Sequence, residues 1–200
     1  MISNCFYEGV LQNGITSEER QHDLGWCPTS VIWYSTHRLH HNQEKRFGLS
    51  YQNVTEVNVI RDLLERMEEE LSRKNKKKQV GVITGYTAQK YLLHHEIEYT
   101  KNRWPHLDLE INTIDAYQGR EMDFIIYSLV RSNPAGNIGF LRDSRRINVA
   151  LSRARELLII VGDHQTAETA STYGSENPFY TVLKHIRQHP DECMLEDVQI

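Results

Sequence analysis

Residues 111–163 read INTIDAYQGREMDFIIYSLVRSNPAGNIGFLRDSRRINVALSRARELLIIVGD, and this stretch decides the fold. It holds three apolar runs: LEINTI (Leu109 to Ile114), FIIYSLV (Phe124 to Val130) and LLIIVG (Leu157 to Gly162). Runs of this length, apolar on both alternating faces, read as strands buried on both sides of a parallel sheet. The turn AYQGREMD separates the first two. Between the last two lies a segment with helical spacing, Arg145 to Arg155. Its Ile147, Ala150, Leu151 and Ala154 fall at i, i+3, i+4 and i+7 and form one apolar stripe.

The same alternation continues outward. VIWYS (Val31 to Ser35) and VGVIT (Val80 to Thr84) read as two further strands. Val57, Ile60, Leu64, Met67 and Leu71 mark a long helix between them, capped by Asn53 or Thr55 and ended by Lys74 to Lys78. A helix over 87–101 follows VGVIT, and Pro178 opens a last helix to about His189. The first thirty residues, punctuated by Gly9, Gly14, Gly25 and Pro28, read as irregular. The polar, His-rich span Thr36 to Gln52 reads as a surface loop. Strands alternating with amphipathic helices predict one α/β domain with a central sheet of about five or more strands, helices covering both faces. In such sheets chemistry gathers outside the carboxyl ends of the strands, which points to Thr84 to Gln89, Asp115 to Asp123 and Arg131 onward.

Composition narrows the function class. The 200 residues are 39% hydrophobic and 25% charged, with a formal net charge of −4. That balance excludes a surface basic throughout, so contact with nucleic acid needs a local patch. The three cysteines, Cys5, Cys27 and Cys193, are odd in number and far apart, which argues against a disulfide framework and fits an intracellular compartment, cytoplasmic or nuclear. No apolar run approaches the roughly 18 residues of a membrane span. The start of the chain lacks the basic and apolar regions of a signal peptide. RKNKKK (Arg73 to Lys78) reads as a solvated loop, with a phosphate contact as the minority alternative. His37 and His41, and likewise His40 and Glu44, stand four apart. Metal binding there would need a helix that the segment does not support, so no metal ligands are expected.

Four arginines on an eleven-residue helix call for anionic partners, because the guanidinium fork matches phosphate oxygens bidentately. Surface ion pairs with nearby Asp and Glu are the alternative on spacing alone. The motifs carry a resemblance that separates these readings. RRINVALSRAR (Arg145 to Arg155) resembles motif VI of superfamily 1 helicases of the up-frameshift-like group. TIDAYQGREMDFI (Thr113 to Ile125) resembles their motif V, and GVITGYTAQ (Gly81 to Gln89) their motif IV, with Gly85 in place of the usual proline. ISNCFYEGVLQNGIT (Ile2 to Thr16) is similar to the segment that follows the Q-Y-R-M motif of these helicases, and that motif itself is not in the sequence. The match is strong over residues 80–163 and loose over 20–75 and beyond 165.

The resemblance implies a RecA-like α/β three-layer sandwich of the P-loop NTPase type. Residues 1–30 would lead in from a first motor domain, 31–190 would form the second RecA-like domain, and 191–200 a tail. It implies Arg153 as the arginine finger at the γ-phosphate of ATP, with Arg146 as companion. It places Glu121 on the nucleotide ribose, with Gln118 and Gly119 in the same turn and Gln118 coupling ATP to the nucleic-acid track. Thr113 and Asp115 would face the nucleic acid, as would Thr84, Tyr86 and Gln89; Tyr86 either stacks on a base or packs under the sheet edge. The sequence has no G-x-x-x-x-G-K-[ST] loop and no acidic magnesium pair. ATP and Mg²⁺ would therefore be held mainly by a first RecA-like domain, and single-stranded RNA or DNA would be the other partner. By itself the domain is expected to be inactive. A non-catalytic binding or scaffold module is the alternative. A dinucleotide-binding oxidoreductase fails for want of G-x-G-x-x-G after a strand.

Overall fold

The computed structural model describes residues 1–7, 22–98, 101–170 and 177–199. Its main sheet has six strands, each joined to its neighbours in parallel. In chain order they are β1 (Val31–Ser35), β4 (Lys78–Thr84), β5 (Leu107–Thr113), β6 (Met122–Ser128), β7 (Ala154–Gly162) and β8 (Cys193–Asp197). Across the sheet the order is β5-β4-β6-β7-β1-β8. Two short strands, β2 (Lys45–Phe47) and β3 (Ser50–Gln52), make a separate antiparallel hairpin.

Burial on both faces explains the apolar strand sequences. Alternate residues of β6 serve different cores: Phe124 and Ile126 pack on one side, Ile125 and Tyr127 on the other. The first core is closed by α2 (Val54–Arg73) and α3 (Thr87–Glu98), through Ile60, Leu64, Met67, Leu71, Leu93 and Ile97. The second is closed by α4 (Ser144–Leu151) and α6 (Pro178–Gln188), through Ile147, Leu151, Phe179, Val182 and Leu183. A short α5 (His164–Thr169) and α1 (Ile2–Phe6) complete that layer. Asn53 is the cap of α2: its side chain accepts from the Glu56 amide. The expected three-layer α/β sandwich with a parallel sheet is therefore present.

Four details differ from the sequence reading. Residues 191–200, read as a tail, supply β8, which pairs with β1 over Val31 to Ser35. CMLED is short and polar at one end, so it lacks the apolar run that marks a central strand; it forms because β1 offers an open edge. The supposed loop at Thr36 to Gln52 contains the β2–β3 hairpin. Its two-residue connection, Gly48-Leu49, has a glycine at φ 59°, and a Gly-first pair is a recognised hairpin turn signal. The leading segment contains α1, while residues 8–21, including Gly9 and Gly14, lie outside the described residues. The arginine helix ends at Leu151 rather than Arg155. Met122 N donates to Arg153 O at 3.0 Å, so the ladder with β6 captures the chain where helix propensity alone would continue it.

Candidate functional site

Parallel pairing dictates where the motif residues go. Both β5 and β6 pair with β4 in the same direction, so the chain leaving β5 at its carboxyl end must return to the amino end before starting β6. The eight residues Ile114 to Glu121 make that descent, first as a 3-10 turn, Ile114–Tyr117, then through Gly119 at φ 78°. A left-handed backbone is cheap only for glycine, which accounts for the residue type at the turn. Tyr117 anchors the descent: it is fully buried and donates its hydroxyl to Glu110 O at 2.7 Å. Burial pushes the Tyr117 phenol far above its ordinary range.

The expectation that all of Asp115 to Asp123 would stand at the carboxyl ends is thus corrected. Asp115 does, directly after β5. Gln118, Gly119 and Glu121 arrive at the amino end, in front of β6. Arg153 meets them there, one residue before β7 begins. Its guanidinium is held by its own turn: Nε donates to Val149 O at 2.9 Å and Nη2 to Ser152 Oγ at 2.7 Å. Nη1 reaches Arg120 O, inside the motif turn, at 3.4 Å. Three of five N–H donors are engaged, all by neutral oxygens, and Arg153 pairs with no carboxylate among the described residues. Glu121 is exposed and its only ion pair among the described residues is a loose 3.4 Å contact with Arg155.

Arg146 lies at the other end of α4, where it forms a 3.0 Å pair with exposed Asp115. Arg153 lies two residues beyond the last residue of α4, at the helix's carboxyl end. The two arginines therefore stand toward opposite ends of the sheet, Arg146 beside Asp115 after β5 and Arg153 in front of β7.

The carboxyl ends hold a different arrangement. Glu56, on the first turn of α2, is fully buried. Its carboxylate accepts from Ser128 Oγ at 2.6 Å and from Val130 N at 2.8 Å. Burial pushes the Glu56 carboxyl up to about 8, with the Asp163 and Glu44 charges adding to that and the two hydrogen bonds opposing it. Val130 sits at φ 73°, a strained backbone for a β-branched residue. Asn53 Nδ2 donates to Val130 O at 3.1 Å, so both polar groups of the strained peptide are held. Next in sequence, Arg131 donates through Nε to Glu44 at 3.0 Å and through Nη1 to Tyr86 Oη at 3.2 Å, and lies 4.3 Å over the Tyr51 ring. Both partners of the Arg131–Glu44 pair are buried. Asp163 completes the network, accepting from Ser132 Oγ and Thr166 Oγ1, each at 2.8 Å.

This network bears on three expected nucleic-acid contacts. Thr84 and Gln89 are 0% exposed. The Gln89 amide is spent on Asn53 and Ser128, bridging them at 2.7 and 3.0 Å. Neither residue presents an atom to a ligand, so they are set aside as direct contacts; both act by shaping the network. Tyr86 packs against Phe140, with ring centroids 4.6 Å apart, and only 4% of it is exposed. Of the two readings of Tyr86, packing is the one its ring shows. Thr113 is half-buried at the end of β5, and Asp115 is exposed. Gly85, where proline is usual, is explained by space: a Cβ there would come within 2.8 Å of Leu141 and 2.9 Å of Phe140. Glu56 and Asp163 were not singled out from sequence; Glu44 was considered only as a metal-ligand partner of His40, and Arg131 only as the start of a polar span after β6. The N-cap spacing of Asn53 and Glu56 was the one available signal.

Other sequence readings resolve simply. Lys74, Lys76 and Lys78 pair with Glu70, Asp23 and Glu156, so three of the cations in RKNKKK meet carboxylates from outside the run, and Lys78 already belongs to β4. His37 goes to Asp163 and Glu44 to Arg131. The cysteines are free thiols; burial pushes those of Cys5 and Cys27 up to about 11.

Residues 1–165 match a family described as an AAA domain. The chain belongs to that family, in its up-frameshift-like helicase group. The chain is 36% identical over 200 residues to the regulator of nonsense transcripts 1 homolog of Arabidopsis thaliana, an alignment covering 97% of this chain and 15% of that protein. It is 38% identical over 172 residues to the ATP-dependent helicase NAM7 of Saccharomyces cerevisiae, covering 80% of this chain and 17% of that protein. The chain thus spans only about a sixth of the length of these relatives. No helix among the described residues is long and apolar enough to cross a membrane.

Proposed function

We propose that this domain is the second motor half of an ATP-dependent superfamily 1 helicase acting on single-stranded RNA or DNA. Its amino-end cluster would complete an ATP site whose phosphate loop and magnesium ligands lie on a first RecA-like domain. The observation that carries the proposal is the state of Arg153. It reaches the carbonyl of Arg120 in the motif turn, is locally braced, and has no carboxylate to neutralise it among the described residues. A cation held in this way stabilises charge that grows on a transferring phosphoryl group without reorganising at the moment of reaction.

The residues present fit one side of a nucleotide. Arg153 supplies donors for phosphate oxygens, and Glu121, exposed and loosely paired, supplies an acceptor for the ribose hydroxyls. Gln118 and Gly119 set the shape of the turn between them. No group of three or more His, Cys, Asp or Glu side chains that could hold a metal is present among the described residues. Magnesium would be held mainly by the partner domain. Arg146, at the opposite end of α4, together with Asp115 and Thr113, faces the nucleic-acid side. Its role is to report the strand's presence along α4; the phosphate belongs to Arg153.

The test uses the two-domain protein. Arg153→Ala is expected to lower nucleic-acid-stimulated ATPase by about 10³-fold or more, with oligonucleotide affinity nearly unchanged. ATPase surviving near the wild-type rate would remove the finger assignment. Arg146→Ala is expected to weaken the stimulation by nucleic acid more than the basal rate, and the reverse pattern would exchange the two roles.

A further inference from the structure

The ladder between β6 and β7 slips once, at its amino end. Met122 pairs with Ala154, and the next pair is Phe124 with Leu157. One residue of β6, Asp123, therefore faces two of β7, Arg155 and Glu156. Bulges of this kind are rare in parallel pairs, and beside a site they re-aim a side chain. Here the two extra-register residues go different ways. Glu156 reaches across β6 to Lys78 on β4 and accepts from its Nζ at 2.6 and 2.7 Å. Arg155 turns toward the carboxylates of Glu121 and Asp123.

Arg155 stands between a fixed acid and a free one. Asp123 is fixed: 20% of its side chain is exposed, and its Oδ2 accepts from the Gln79 amide of β4 at 2.9 Å. Its Oδ1 lies 3.7 Å from Arg155 Nη1. Glu121 is free. Its Oε2 meets Arg155 Nε at 3.4 Å, and among the described residues its Oε1 has no partner. The guanidinium is a rigid plane, so anchoring it toward Asp123 sets where it can hold Glu121. Contacts this long between exposed groups add little to stability. What they supply is direction: a flexible carboxylate is kept in one region with an oxygen open, which lowers the ordering cost of binding a ligand there. Arg153 stands two residues earlier, its carbonyl tied to Met122 N at 3.0 Å. The phosphate-directed arginine and the Arg155–Glu121 pair are thus fixed beside one short segment of the ladder.

We infer that Arg155 is a positioning residue for sugar recognition. Through its link to Asp123 it holds Glu121 in place for the ribose hydroxyls, and so favours ribonucleoside triphosphates over nucleotides that lack those hydroxyls. The inference rests on the reading of Glu121 as the ribose acceptor and adds the residue that aims it. An Arg155 that met the phosphates directly would act on every nucleotide alike, because the phosphates do not differ between them. One that acts through Glu121 changes the discrimination between sugars.

The experiment measures nucleic-acid-stimulated hydrolysis by the two-domain protein with ATP and with 2′,3′-dideoxyATP, and reads the ratio of the two kcat/KM values. Glu121→Ala is expected to lower that ratio by about tenfold or more, as for lost hydrogen bonds to a charged group. Arg155→Ala is expected to lower it by about threefold, the effect of freeing one ordered side chain. The change should appear in KM for ATP rather than in kcat. With both substitutions together the ratio is expected to equal that of Glu121→Ala alone, since Arg155 acts only through Glu121. Arg155→Lys, which keeps the charge without the rigid fork, is expected to recover part of the ratio. An unchanged thermal melt checks the fold of each variant. A wild-type ratio in Arg155→Ala would overturn the inference, as would an equal loss with both nucleotides, which would put Arg155 on the phosphates. The underlying reading fails separately: a wild-type ratio in Glu121→Ala removes the ribose assignment itself. If Glu121→Ala loses the discrimination and Arg155→Ala keeps it, that assignment stands and only the role of Arg155 falls.

Discussion

The two ends of the sheet are built on opposite principles. At the carboxyl ends, Glu44, Glu56, Arg131 and Asp163 are buried and each is tied to two or more partners. At the amino end, Gln118 and Glu121 are exposed and Arg153 is braced only by neutral oxygens. The first set cannot be changed without leaving a buried charge or a strained peptide unsupported. The second can be changed at little cost to the fold. A charge that must act on a ligand has to be left unsatisfied by its own protein, whereas one that holds a loop has to be satisfied completely.

The sharpest way to break this comparison is Arg131→Ala. It leaves Glu44 buried without its cation, and an expected loss of about 3–5 kcal/mol follows for breaking a buried pair. Urea denaturation reads it directly, and a loss under 1 kcal/mol would mean that the carboxyl-end network is not a structural device.

Glu56 gives a pH signature. Its folded carboxyl titrates at about 8, above the unfolded value of 4.5. Between those limits the folded state holds a proton that the unfolded state has released, so this group's stabilising contribution is full below about pH 4.5 and is lost as pH rises through about 8. The slope approaches about 1.4 kcal/mol per pH unit in that window. His185, which burial and nearby positive charge depress to about 4, contributes with the opposite sign below pH 6.5. Comparing wild type with Glu56→Gln cancels His185. The variant's denaturation midpoint is expected to fall less steeply between pH 6.5 and 8; parallel curves would contradict the assignment.

Gly85→Ala tests the packing at the carboxyl end of β4. The new Cβ would press on Leu141 and Phe140, and overpacking is expected to cost about 1–3 kcal/mol in thermal or chemical unfolding. A neutral result would show that the Phe140 ring moves aside freely. The smallest effects belong to the amino end. Arg153→Ala and Arg155→Ala should each change stability by no more than about 1 kcal/mol, because their contacts are half-exposed or exposed. A larger loss in either would mean that the amino end is structural and would weaken the division on which the proposed motor role depends.

Legibility in the sequence followed the same line. VGVIT, FIIYSLV and LLIIVG announced strands because burial on two faces demands apolar runs, and Val57 to Leu71 announced α2 because burial on one face demands helical spacing. Polar partners left no such trace. Nothing in the sequence near Glu44 or Arg131 says that residues 87 apart will form a buried pair, and nothing near Glu56 says that its carboxyl will hold Ser128 and the Val130 amide. Gln89 shows the converse case: a motif glutamine whose importance was readable, but whose amide serves the interior rather than a ligand.

The sequence by itself determined the parallel α/β sandwich, its family and the identity of the motif side chains, since these depend on local periodicity and on residue chemistry. Only the tertiary structure decided which end of the sheet each motif residue reaches. Two strands paired in parallel to the same neighbour require the connecting segment to cross the full length of the sheet. That geometric requirement carries Gln118 and Glu121 away from Asp115, and the ladder that draws Ala154 into β7 sets Arg153 beside them.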